Sequence, residues 1–177
     1  MRIGLTGTVS VGKTTLIKEL SKLDYFSDYY IATERSKYLR DLGIPLNTDS
    51  TLNGQIVFLA ERASELLRDN LLTDRTIIDV MAFTSNSKSM NFKSKENFEE
   101  LAKLLLSQYD YIFYIPTEGV EIEDNGVRET NSEYRDTIDR SIKTYLKGYS
   151  DRLSRVINIP PNLSTQQRVD FIMSNLS

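Results

Sequence analysis

The chain has no cysteine and no histidine. Without thiols, disulfides, thiolate nucleophiles and cysteine-held metals are excluded. Without imidazole, histidine acid–base chemistry and histidine-ligated zinc are excluded too. Proton transfer then falls to Asp or Glu, with Lys and Tyr behind them, and the natural metal is a hard, oxygen-bound ion such as Mg²⁺. No apolar run approaches the ~18 residues of a membrane span. No signal-peptide pattern opens the sequence, which leads to the expectation of a cytoplasmic protein. There are no internal repeats and no linker. A net charge of −3 gives no pull towards nucleic acid or an anionic membrane. At 177 residues, 40% of them apolar, the chain suits one domain with a well-buried core, and a homodimer is left open.

Against these absences stands Gly7-Thr8-Val9-Ser10-Val11-Gly12-Lys13-Thr14, directly after the apolar run Met1-Arg2-Ile3-Gly4-Leu5-Thr6. It matches the phosphate-binding loop G-x-x-x-x-G-K-[ST] at every fixed position. Glycine lets the backbone turn tightly and aim consecutive N–H groups inward as a nest for phosphate oxygens. Lys13 reaches for β- and γ-phosphates, and the Thr14 hydroxyl suits Mg²⁺. Leu16, Ile17, Leu20 and Leu23 stripe a helix after the loop, over about 13–23, so a positive helix end adds to the anion site. Residues Gly7 to Thr15 are the expected triphosphate-binding set, with ATP as the expected donor.

The rest of the chain alternates strand and helix, which predicts a parallel sheet covered by helices. Strands are expected over 1–6, 27–32, 71–74, 109–115 and 155–159. Helices are expected from Glu34 with Thr33 as cap, and over about 51–69, 96–108, 131–148 and 164–175. The 51–69 helix is read from Leu52, Ile56, Leu59, Ala60, Ala63, Leu66 and Leu67 as its apolar face. Phe98, Leu101, Leu104 and Leu105 point inward in the next. A polar loop covers 84–95, and the acidic stretch from 117 to about 135 reads as a small lid.

Several polar residues fall where such a sheet gathers ligands, at the carboxyl ends of its strands. Asp74 ends the third strand and is the expected Mg²⁺ residue with Thr14. Asp79, after Thr76-Ile77-Ile78, is the competing acid, and capping of a helix from Thr76 is the bland alternative for Asp74. Glu34, after the second strand, is placed to take a proton from an acceptor hydroxyl, or merely to favour its own helix dipole. Arg75, Arg128, Arg135 and Arg140 are candidates for holding phosphate and transition-state charge, against a solvated surface role for each. Asn53 and Gln55 can hydrogen-bond a base or sugar. Phe58, Phe83 and Tyr38 can stack on a base, although core packing is the commoner fate of aromatics. The Pro160-Pro161-Asn162 turn is where an adenine would lie.

Absent motifs narrow the class. An Asp-x-x-Gly segment, which a GTPase needs, occurs nowhere, and neither does the Asp-Glu pair of a hydrolytic ATPase. What remains has the layout of a small-molecule kinase. The alternative is an ATPase- or GTPase-like regulatory protein that binds nucleotide without a small-molecule acceptor.

Gly7-to-Thr14, Thr33-Glu34-Arg35, Thr73-Asp74-Arg75-Thr76 with Asp79 and Phe83, and Asp124-Asn125-Gly126-Val127-Arg128 followed by Tyr134-Arg135 together resemble the NadR-type ribosylnicotinamide kinases. That group is a branch of the nucleoside and nucleotide kinase superfamily. The resemblance implies a three-layer α/β fold with a five-stranded parallel sheet of order 2-3-1-4-5 and a small lid. It also implies Mg-ATP-dependent transfer to a nucleoside or nucleotide. Lys13, Glu34, Asp74, Arg75, Arg128 and Arg135 would carry the reaction, and Thr14 and Asp74 the metal.

Overall fold

The computed structural model describes residues 1–33, 36–118 and 132–176. Strands β1 (Arg2–Thr6), β2 (Tyr30–Ala32), β3 (Leu71–Thr73), β4 (Tyr111–Tyr114) and β5 (Val156–Asn158) pair in parallel in the order β2-β3-β1-β4-β5. This is the expected sheet. β1, β3 and β4 are covered on both faces, which is why they read as unbroken apolar runs and not as alternating patterns. In register, Gly4 of β1 lies beside Thr73 of β3 and Ile112 of β4.

The helices are α1 (Lys13–Leu20), α2 (Ser36–Asp41), α3 (Leu52–Glu65), α4 (Ile77–Ser85), α5 (Phe92–Ala102), α6 (Ser132–Gly148) and α7 (Thr165–Asn175). One core gathers Phe58, Leu59, Ile77, Ile78, Val80, Met81, Phe98, Ile138 and Ile142 beneath α3, α4, α5 and α6. A second core, on the other face, gathers Ile3, Leu5, Leu16, Ile17, Leu20, Val169 and Ile172 beneath α1 and α7. Gly4 lets the start of α4 lie against the sheet: a Cβ there would collide with Thr76 Cγ2.

Two helices depart from the sequence expectation. α3 buries Gly54, Gln55, Phe58, Leu59 and Arg62, while Ile56 is 44% exposed and Leu67, beyond its end, is 80% exposed. Ile56 and Ala60 of the expected stripe face outward, while Arg62 takes an inward place, where it pairs with Glu65 and lies 3.9 Å from Glu61. α5 starts earlier than expected, since Asn91 caps it by accepting from the Ser94 N–H at 2.8 Å. After Ala102 the chain tightens into a 3₁₀ turn over Lys103–Gln108. The period changes from 3.6 to 3.0 residues there, so Leu106 faces inward and Leu104 turns out to solvent. Leu101, on α5 itself, also faces outward, 52% exposed. The extra α5 turn occupies part of the expected 84–95 loop.

Candidate functional site

The loop between β1 and α1 is built from unusual backbone conformations. Gly7, Ser10 and Gly12 have φ of 153°, 61° and 85°, and such left-handed geometry turns successive N–H groups towards one side. A Cβ on Gly7 would lie 2.8 Å from the Ile115 carbonyl oxygen, so only glycine fits. The two valines moor the loop: Val9 enters the α3/α4/α6 core and Val11 the α1/α7 core. Thr8 is fully buried, and its hydroxyl donates to the Arg135 carbonyl at 3.1 Å. Gly12 is the N-cap of α1, whose first residues are Lys13, Thr14 and the exposed Thr15.

Lys13 crosses back over the loop, its ammonium donating to the carbonyls of Gly7 at 2.6 Å and Thr8 at 2.7 Å. It is thus held at the mouth of the nest that its own loop encloses. The Thr14 hydroxyl donates to Asp74 Oδ2 at 2.8 Å. Asp74 is fully buried and fixed by its own N–H, which donates to the Ala32 carbonyl. The structure therefore brings together the two oxygen donors assigned to Mg²⁺. A hydroxyl and a carboxylate side by side at the first turn of a helix form a hard, all-oxygen pair, which fits an ion that takes its remaining ligands from water and phosphate. Among the described residues no group of three acidic side chains converges on one point.

Asp79 has a different task. Its Oδ2 accepts from the N–H and hydroxyl of Thr76 at 2.8 and 2.9 Å, closing the first turn of α4. Its Oδ1 accepts from the Gly7 N–H at 3.2 Å. This fully buried carboxylate joins α4 to the first residue of the loop. Sequence reasoning weighed Asp79 only against Asp74; the Thr-x-x-Asp spacing of a capping box was the available signal.

Arg75 lies over the Phe83 ring, 4.8 Å from its centroid, which places it just past the strand end that carries Asp74. Arg135 belongs to the first turn of α6 and not to a free lid segment. It is buried, with Nη2 donating to the Thr117 carbonyl at 3.2 Å. Its backbone touches Thr8, so the root of α6 adjoins the loop. Arg140 is exposed and turned onto its own helix, donating to Thr137 Oγ1 and the Asp136 carbonyl. It takes no part in the cluster. Glu34, Arg128 and most of the expected lid lie outside the described residues.

On α3, Gln55 is 3% exposed. Asn53 is exposed on the same helix. Phe58 and Phe83 are core residues, while Tyr38 is half-exposed on α2. Behind β3, the Thr73 hydroxyl approaches Glu65 Oε2 at 3.4 Å. Burial, with Glu61 and Asp74 adding to it, pushes the Glu65 carboxyl up to about 7 although Arg62 pulls the other way. None of the described helices is long and apolar enough to cross a membrane.

Comparison with known proteins gives the same architecture. A family described as an AAA domain matches residues 2–168. No curated protein sequence matches. Deoxyadenosine kinase from M. mycoides with bound dATP is 21% identical, with 99% of each chain covered and a TM-score of 0.69. NadR protein in complex with NR is 16% identical over 97% of this chain and 50% of that one, with a TM-score of 0.76. NadR protein in complex with NAD and AMP-PNP gives 15%, 97%, 48% and 0.74. The chain thus spans about half the length of NadR. At these identities the likeness is one of fold, the fold of phosphate-loop kinases.

Proposed function

The chain belongs to the AAA-domain family, and from that premise we propose that it is a Mg-ATP-dependent phosphotransferase acting on a nucleoside or nucleotide. The observation that carries the reading is the Thr14–Asp74 pair, 2.8 Å apart beside an intact phosphate loop. It supplies a metal seat where the β- and γ-phosphates of a donor would lie. Absence of the GTPase and ATPase motifs favours transfer over hydrolysis, and the solved structures of like fold include a deoxyadenosine kinase.

In this reading the loop N–H groups and the α1 N-terminus bind the triphosphate, and Lys13 leaves the Gly7 and Thr8 carbonyls for the β- and γ-phosphate oxygens. Thr14 and Asp74 would hold Mg²⁺, which when bound would supply charge neutralisation for the transferring phosphoryl group. Arg75 and Arg135, with Arg128, stabilise the charge of the transferring phosphoryl group. Glu34 takes the proton of an acceptor hydroxyl. If the acceptor is a monophosphate no base is needed, and Glu34 binds sugar instead. Gln55, buried on α3, hydrogen-bonds the acceptor's base or sugar.

Incubation with γ-labelled ATP and a panel of nucleosides and monophosphates tests this directly. Label on one or more acceptors, lost in Lys13→Ala, is the expected result. Nucleotide bound but passed to no acceptor would leave the regulatory-binding alternative standing.

A further inference from the structure

One charged side chain on the donor side has no part in the mechanism above. Arg168 is the fourth residue of α7, and only 8% of it is exposed. Its Nη1 donates to the Val11 carbonyl at 2.8 Å and its Nε to the Leu163 carbonyl at 3.1 Å. A single guanidinium therefore bridges the phosphate loop, 157 residues before it in the chain, and the turn after β5. Among the described residues no carboxylate pairs with it. Backbone carbonyls alone balance the charge, and burial lowers its affinity for its proton.

The Val11 carbonyl is a telling place to hold. A peptide unit is planar and trans, so fixing the direction of the Val11 C=O fixes the Gly12 N–H in the opposite direction. The next residue is a glycine at φ 85°, the type most able to let that plane flip. Nη1 lies against this glycine, 3.6 Å from where its Cβ would be. We propose that Arg168 is a donor-positioning residue: by clamping the Val11 carbonyl to α7 it locks the Gly12 N–H towards the bound phosphates. It also sets the distance between the loop and the Pro160-Pro161-Asn162 turn. The inference rests on nucleotide binding by the loop, and not on the identity of the acceptor.

The test compares the affinities of wild type, Arg168→Lys and Arg168→Gln for ATP and for inorganic tripolyphosphate, by calorimetry, with a melting curve for each protein. Loop positioning predicts that Gln weakens both ligands by the same factor, about tenfold or more, with Lys in between because it reaches one carbonyl but lacks the fork. A loss confined to ATP would mean that Arg168 contacts the base, and would overturn the proposal. Lower melting temperatures with unchanged affinities would reduce Arg168 to a packing residue and overturn it equally. Should Gln not fold, the Lys variant alone decides between these outcomes. Wild type that binds neither ligand would overturn the nucleotide-binding reading itself, whereas binding without transfer to any acceptor would leave this inference intact.

Discussion

Asp79→Asn isolates one contact of the loop with little change of shape. The carboxylate accepts from Gly7 on one oxygen and twice from Thr76 on the other, with no exposure to water. Asparagine has one accepting oxygen. Aimed at Thr76 it keeps two bonds and turns its NH₂ group towards the Gly7 N–H, donor against donor. Aimed at Gly7 it loses the helix cap instead. The cheaper choice leaves the buried Gly7 N–H and the new NH₂ group facing each other without an acceptor, costing about 2 kcal/mol or more, against the 1–3 kcal/mol usual for a single such group. For a chain of this length that is a fall in melting temperature of about 4–8 °C. Since the cheaper choice frees the Gly7 peptide, ATP affinity should also fall. Thermal melts with and without Mg-ATP measure both, and Asp79→Ala should cost more on each count. An Asn variant within about 0.5 kcal/mol of wild type, or one made more stable by removing a buried charge, would refute the assignment of Asp79 as the loop's anchor.

Other perturbations test neighbouring parts of the site. Asp74→Asn should raise the Mg²⁺ concentration needed for half-maximal transfer about tenfold or more while leaving the melting curve near wild type, read by magnesium titration. Gly7→Ala pushes a methyl group into the Ile115 carbonyl and should abolish nucleotide binding in an equilibrium assay. Glu65 holds its proton more tightly when folded, at about 7 against 4.5, so the folded state loses stability as pH rises between those values. Urea melts should show a flatter stability profile across that window for Glu65→Gln than for wild type. Equal slopes would remove Glu65 from the account.

The fold was legible because its three central strands, β1, β3 and β4, are buried on both faces and its loop carries an unmistakable spacing. What the sequence concealed follows from competition between partners. α3 turns Ile56 outwards and takes Arg62 inside, where it pairs with Glu65, so the apolar stripe read along this helix coincides only in part with its buried face. Leu104 was misassigned because the 3₁₀ turn after Ala102 shifts the period within one apparent helix. Strand-end logic puts Asp74 at the sheet edge that faces the phosphate loop, and there its carboxylate accepts from the Thr14 hydroxyl. Arg168 left no trace, because an arginine that bonds to backbone carbonyls has no partner residue for a motif to record.

Asp79 and Arg168 grip the loop at opposite ends, Gly7 and Val11, and they come from opposite helical layers of the sheet. Donor binding and the cohesion of the two layers are therefore thermodynamically linked. A triphosphate that settles the loop should slow amide exchange at the starts of both α4 and α7. By reciprocity, loosening either layer far from the cleft should appear first as weaker donor binding.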